Sequence, residues 1–165
     1  MPRPALSDWD VRRLNLTEAP DGFPEVASIS TIRDLWKSRC STGRLPSRDD
    51  FPIEDLRPWI GNVNLVDADL EPRRFRWRLI GSNISVRMGR DVTGQWFDEL
   101  YSDQILDGYT VAYSAAVDRR TATFYRGDLE FVGKGFLNFC SVHLPLSDNG
   151  TDVNMLMLCL SFDET

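Results

Sequence analysis

The sequence has little that marks an enzyme, a metalloprotein or a nucleic-acid binder. It holds one histidine, His143, and three cysteines, Cys40, Cys140 and Cys159. The cysteines form no Cys-x-x-Cys pair and lack the even count of a disulfide framework, so free thiols in a reducing compartment are expected. Their spacing to histidine and carboxylates does not resemble a zinc site. No apolar run approaches the ~18 residues of a membrane span. The amino terminus, Met1 to Asp8, carries no apolar stretch of signal-peptide length, which argues against secretion. A cytoplasmic protein without membrane contact is expected. Net charge is -6, with basic residues interleaved among acidic ones; the basic footprint of a nucleic-acid-binding domain is missing.

What is present is ordinary globular composition. With 165 residues, 42% of them hydrophobic, the chain can bury a core as one domain without staples. Residues 1–27 contain Pro2, Pro4, Pro20 and Pro24, with Trp9, Val11, Leu14 and Leu16 between charges. That composition suits an extended arm that packs only where its apolar residues find a groove. Residues 28–165 then form the domain proper.

Periodicity supplies the elements. Ile29 to Cys40 reads as a helix, with Thr31 as a cap three residues before Asp34 and with Ile32, Leu35 and Trp36 on one face. Asp50 to Leu56 reads as a short helix that stops before Pro58. Asn62 to Asp67, and Phe75, Trp77 and Leu79 alternating with Arg76 and Arg78, read as two strands of a hairpin. Gly81, Gly89 and Gly94 break the following stretch into short helical turns that close over something. Ser102 opens a helix to about Arg119, with Ile105, Leu106, Tyr109, Ala112, Tyr113 and Ala116 facing inward. Gly108 inside it costs about 1 kcal/mol relative to alanine, a tolerated imperfection or a point of close approach.

Asn149-Gly150 reads as a two-residue type I′ turn. It sets Leu146 opposite Val153, Leu144 opposite Met155, Val142 opposite Met157 and Cys140 opposite Cys159, an apolar core face. A second two-residue turn at Gly133-Lys134 puts Tyr125 beside Val142 and Gly127 beside Cys140, leaving Arg126, Asp128 and Glu130 outside. The other face of the last hairpin, Phe139, Ser141 and His143 opposite Leu156, Leu158 and Leu160, is too apolar for water. The residue 29–40 helix or a second subunit is expected to cover it.

Three segments in order, Leu45-Pro46-Ser47-Arg48-Asp49, Arg78-Leu79-Ile80-Gly81 and Gly89-Arg90-Asp91-Val92-Thr93-Gly94, resemble the single-domain bacterial PAS proteins, over residues 29 to 162. The resemblance implies an α+β, PAS-like fold: a five-stranded antiparallel sheet flanked by helices, with an amino-terminal helix and extended arm. It implies a sensor or interaction module rather than an enzyme, and no required cofactor.

The expected ligand-binding residues are Trp77, Met88, Trp96, Tyr109, Tyr113, Tyr125, Cys140, Val142 and Met157, a set that is either plain core or the wall of a small-molecule cavity. Trp36, Phe124, Phe139, His143, Leu156, Leu158 and Leu160 are the expected dimer or partner face. The leading function is a regulatory domain that binds an apolar or aromatic metabolite and signals through homodimerisation or a signalling partner. A ligand-free interaction module is the rival. The third reading, a small enzyme with Asp67 and His143 as an acid/base pair, needs the pair to converge on one cavity, and the register above turns His143 away from the core. Arg76 and Arg78 are read as solvated, and Arg90-Asp91 as a brace of the turn.

Overall fold

The structure is a computed structural model and describes residues 14–163; the rest of the arm, with Trp9 and Val11, lies outside the described residues. In chain order come strand β1 (Leu16–Glu18), helix α1 (Ala27–Arg39), strands β2 (Val63–Leu70) and β3 (Arg73–Leu79), helices α2 (Ser82–Met88), α3 (Phe97–Leu100) and α4 (Asp103–Arg119), and strands β4 (Thr123–Leu129), β5 (Lys134–Leu146) and β6 (Met155–Asp163). The 3₁₀ turns are Arg48–Asp50, Ile53–Trp59 and Glu130–Val132. One antiparallel sheet runs β1-β4-β5-β6-β2-β3. The five expected strands are joined by a sixth, because the arm pairs Leu16 with Gly127 and Glu18 with Tyr125 along the edge of β4.

Both faces of the sheet are covered, and each carries its own core. Over one face lie α2, α3 and α4, packed on Trp77, Phe139, Leu156, Leu158 and Leu160. Over the other lies α1, whose Ile29, Ile32 and Trp36 pack on Cys140, Val142, Leu144, Met157 and Cys159. Trp36 donates its indole N–H to the Pro145 carbonyl at 2.9 Å, which pins α1 to β5. The two faces are therefore exchanged relative to the sequence expectation: the helix at 29–40 covers the Cys140–Val142 face, and the His143 face lies under the other three helices. Polarity alone cannot tell which layer covers which side when both sides of a strand are apolar.

Two register differences accompany the exchange, and only the second changes a face. Asn149-Gly150 does not close a two-residue turn. Residues 147–154 form a longer loop in which the Asn149 side-chain oxygen accepts the amide hydrogens of Thr151 and Asp152, at 2.9 and 2.8 Å. Asn154 does the same for Asp148. These side-chain bonds outcompete the tight turn. Pairing resumes at Leu146 with Met155, so Val142 lies opposite Cys159, and Cys140 opposite Ser161. The slip is even, so faces are kept, but Cys140 and Cys159 are diagonal neighbours rather than a direct pair. Between β4 and β5 the slip is odd: the Glu130–Val132 turn and an irregularity at Asp128/Leu129 bring Tyr125 opposite Ser141 and Thr123 opposite His143. A one-residue shift flips every side chain, and Tyr125 joins the His143 face.

Smaller corrections concern helix ends. Helix α1 begins at Ala27 after Val26, so Thr31 is no cap; its hydroxyl donates to the Ala27 carbonyl. Ser102 precedes α4 without a side-chain cap bond, and Leu106 N–H bonds its carbonyl instead. The turn at Ile53–Trp59 runs through Pro58, at the cost of one amide hydrogen bond.

At the corner between β3 and α2, a Cβ on Gly81 would lie 2.3 Å from the Gly61 carbonyl oxygen. The Gly81 N–H meanwhile donates to Asn64 Oδ1 at 3.0 Å. Backbone cannot yield here as a side chain would. Gly81→Ala is expected to lower unfolding stability by about 2 kcal/mol or more in urea titrations; a change under about 0.5 kcal/mol would show that Gly61 does not confine this corner.

Candidate functional site

Between the sheet and α2–α4 lies a cavity of ≈ 40 Å³, lined by Trp77, Ile84, Met88, Tyr109, Tyr113, Asn64, Phe139, Ser141, His143, Leu158 and Leu160, among others. The glycine-broken stretch after β3 supplies Ile84 and Met88, so it does close over something. Gly89 ends α2 at φ 78°, a conformation that favours glycine, and turns the chain away just after Met88. Helix α4 brings Tyr109 and Tyr113, four residues apart, onto one face.

The aromatic wall is built edge to face. Trp77 meets Tyr109 and Tyr113 at ring-centroid distances of 6.2 and 6.1 Å and near-perpendicular angles. The Trp77 indole N–H donates to the Tyr101 hydroxyl at 3.1 Å, and the Tyr101 and Tyr109 hydroxyls are themselves hydrogen-bonded. Burial pushes the Tyr101 phenol up to about 12. Burial first, then the neighbouring phenols, hold Tyr109 and Tyr113 well above the usual tyrosine range. The wall stays neutral at any physiological pH.

His143 stands at the centre of the wall. Its ring packs on Tyr113 at 4.7 Å and stacks on Tyr125 at 4.9 Å. Tyr125 is anchored in turn by its hydroxyl, which donates to the Ala112 carbonyl at 3.1 Å. Nε2 of His143 lies 3.3 Å from the Ser141 hydroxyl. Nδ1 has no hydrogen-bond partner, and neither does the buried Thr123 hydroxyl on the facing strand. Desolvation lowers the imidazole to about 3, so it is a neutral, polar, partly unsatisfied group in an apolar chamber.

Of the nine expected ligand-binding residues, Trp77, Met88, Tyr109 and Tyr113 line the cavity. Tyr125 supports it from behind His143. Trp96 lies outside, half-buried beneath Arg74 and Arg76, whose guanidinium carbons sit 4.1 and 5.2 Å from its ring centre. Cys140, Val142 and Met157 point to the opposite core, under α1.

The expected dimer or partner face is not a surface. Phe139, His143, Leu156, Leu158 and Leu160 are buried on the cavity side. Trp36, on α1, is buried against β5, and Phe124 packs edge-on against Phe23 at 6.4 Å. Asn64, Ser141 and Thr123 were missed as site residues. Their signal was a buried polar residue interrupting an apolar alternation, and it became readable only with the correct register.

The Asp67–His143 pair does not form. Asp67 alternates with the buried Val66 and Ala68, and projects from the other face. There its Oδ2 accepts Arg76 at 2.7 Å and lies 3.7 Å from Arg78. These two arginines are thus paired rather than simply solvated. Asp91 braces its turn by accepting the Thr93 amide at 2.9 Å. The cavity wall includes no carboxylate. Among the described residues no cluster of three or more His, Cys, Asp or Glu is placed to hold a metal. No described helix is long and apolar enough to cross a membrane.

A strand pair, a run of short helices, one long helix and three further strands enclose this chamber in the order the PAS fold uses, and the PAS domain family matches residues 25–160 of the chain. The chain belongs to the PAS domain family. No curated protein and no solved structure matches it. Family membership makes this PAS domain a sensory or regulatory module. The match includes α1, strands β2 to β5 and β6 as far as Leu160, and begins after β1, the strand the arm adds to the sheet.

The buried imidazole makes stability depend on pH. An unfolded histidine takes up a proton near 6.5, whereas His143 in the fold does so only near 3. Between those values the unfolded chain binds more protons, so stability falls as pH drops. This contribution reaches roughly 2 kcal/mol by pH 5. His143→Leu is expected to remove it, flattening the difference in urea unfolding free energy between pH 7 and pH 5. An unchanged slope would show that His143 is protonated in the native protein.

Proposed function

We propose that this PAS domain senses a small, neutral, ring-containing molecule that carries one hydroxyl or comparable hydrogen-bonding group. It binds between Trp77, Tyr109, Tyr113 and His143. The observation that carries this reading is the unpartnered Nδ1 of His143. A buried polar atom left so costs about 1–3 kcal/mol, and a hydroxyl satisfies either imidazole tautomer because it both donates and accepts. Charge is disfavoured on the ligand, since the imidazole stays neutral and the chamber wall holds no ionised group. Occupancy is passed to a signalling protein or to a second copy of the chain in the cytoplasm, through its differential affinity for two conformations.

The chamber as it stands favours a second reading on one count. An apolar cavity of about 150 Å³ admits benzene, whereas ≈ 40 Å³ has room for a few waters. A ligand-free interaction module would need no more. Such a module has an exposed groove of ≈ 270 Å³ available, lined in part by Ile53, Ile60 and Leu79.

The two readings separate on what the protein carries. Material purified without added ligand is denatured and the released molecules are weighed by mass spectrometry, with His143→Leu in parallel. The sensor reading expects a stoichiometric neutral compound with a ring and a hydroxyl-like group, retained at least tenfold less by the variant. An empty protein whose thermal midpoint does not move across a panel of phenols, indoles and ring alcohols would favour the interaction module.

A further inference from the structure

The sensed molecule needs space that the closed chamber lacks, and the geometry shows where that space is. Leu14 and Leu16 line the inner cavity, and the same two residues line an outer groove of ≈ 420 Å³ shared with Asp107, Gly108, Val111, Ala112 and Tyr125. The arm is the partition between the two. Its seat is shaped for it on both sides. A Cβ on Gly108, in the middle of α4, would come 2.9 Å from Leu14 Cδ2. A Cβ on Gly127 of β4 would meet the Asn15 carbonyl oxygen at 2.6 Å and Leu16 Cδ2 at 2.9 Å on the arm, besides the Phe139 ring at 2.8 Å. Glycine in a helix interior and in a strand both weaken the element that holds it, so close approach of the arm accounts for both.

The hold on the arm is light. Strand β1 is three residues long and pairs only along the edge of β4. Glu18 is bonded to the Arg119 guanidinium at the surface, and the Asn15 side-chain amide is shared, partly buried, between Asp128 and Glu130. The exposed Glu18–Arg119 pair contributes little, which leaves the partly buried Asn15 amide and the two half-buried leucines as the anchor of β1.

Resting on the sensor reading above, we propose that β1 is a displaceable stopper: an entering ring takes the space of Leu14 and Leu16, merges cavity and groove, and releases β1 from β4. The freed edge of β4 and the freed arm are then the output, since an unpaired strand edge is a template for pairing with another chain. The device couples occupancy of the chamber to a surface while β4, β5, β6, β2 and β3 stay in place.

The test clamps the arm. Thr17 and Arg126 are paired across β1 and β4, and both are exposed. The double variant Thr17→Cys/Arg126→Cys is compared oxidised and reduced, with phenol as the probe. Methyl NMR of Ile84 and Met88 reports the chamber, and amide hydrogen exchange reports Leu16 to Glu18. The stopper predicts that phenol shifts both methyls and accelerates β1 exchange at least tenfold in the reduced form, and does neither in the oxidised form. Equal methyl shifts in both forms, or shifts without faster β1 exchange, would overturn the stopper while leaving the sensor reading intact. If phenol reaches neither form, the sensor reading fails for this probe, and Gly108→Leu decides the arm's role. Methyls that respond to phenol once Leu14 is pushed aside support the stopper, and methyls still silent overturn it.

Discussion

From Phe139 onward β5, together with β6, is buried on both faces, and the rest of the architecture follows from that constraint. Val142, Leu144, Leu156, Met157, Leu158 and Cys159 are all essentially inaccessible, so neither side of the central hairpin tolerates water. One face takes α1, fixed by the Trp36 indole on the Pro145 carbonyl. The other takes α2, α3 and α4, which meet at a cluster of aromatic rings. The residual space lies on the aromatic side.

That asymmetry gives His143 its character. On the α1 side an imidazole would have met the apolar residues packed under α1, such as Ile29, Ile32, Trp36 and Met157. On the aromatic side it is flanked by Tyr113 and Tyr125 and touches a serine hydroxyl. Burial still forbids the charged form, so the imidazole is neutral in the folded protein. No carboxylate reaches it, because Asp67 projects from the opposite face onto Arg76 and Arg78. The same alternation that builds the sheet therefore separates the two groups that acid/base chemistry would require.

Much of this was legible in the residues. The α+β class, the hairpin of β2 and β3, the glycine-broken turns, the long α4 with its inward tyrosines and the resemblance to PAS proteins are readable from periodicity and motifs. Of the cavity, Trp77, Met88, Tyr109 and Tyr113 were legible because they lie on elements with a single apolar face. The β5–β6 residues were not, because a strand apolar on both sides offers no polarity by which to orient it. Asn149-Gly150 misled for a separate reason: the asparagine side chain caps a longer loop instead of serving a two-residue turn. The irregularity at Leu129 turned Tyr125 over, and no local propensity announces a bulge of that kind. Gly108 and Gly127 carried a signal that became readable only when the arm was found between them.

The central claim is that a neutral, incompletely bonded imidazole sits in the sensing chamber. The chain has one histidine, so ¹⁵N labelling of histidine alone gives a spectrum that needs no assignment. The account predicts that both ring nitrogens keep the shifts of a neutral imidazole from pH 8 to pH 5, and that only Nδ1 moves strongly when a ring-bearing alcohol or phenol binds. An imidazole that titrates with a midpoint near 6.5 in the folded protein would contradict it.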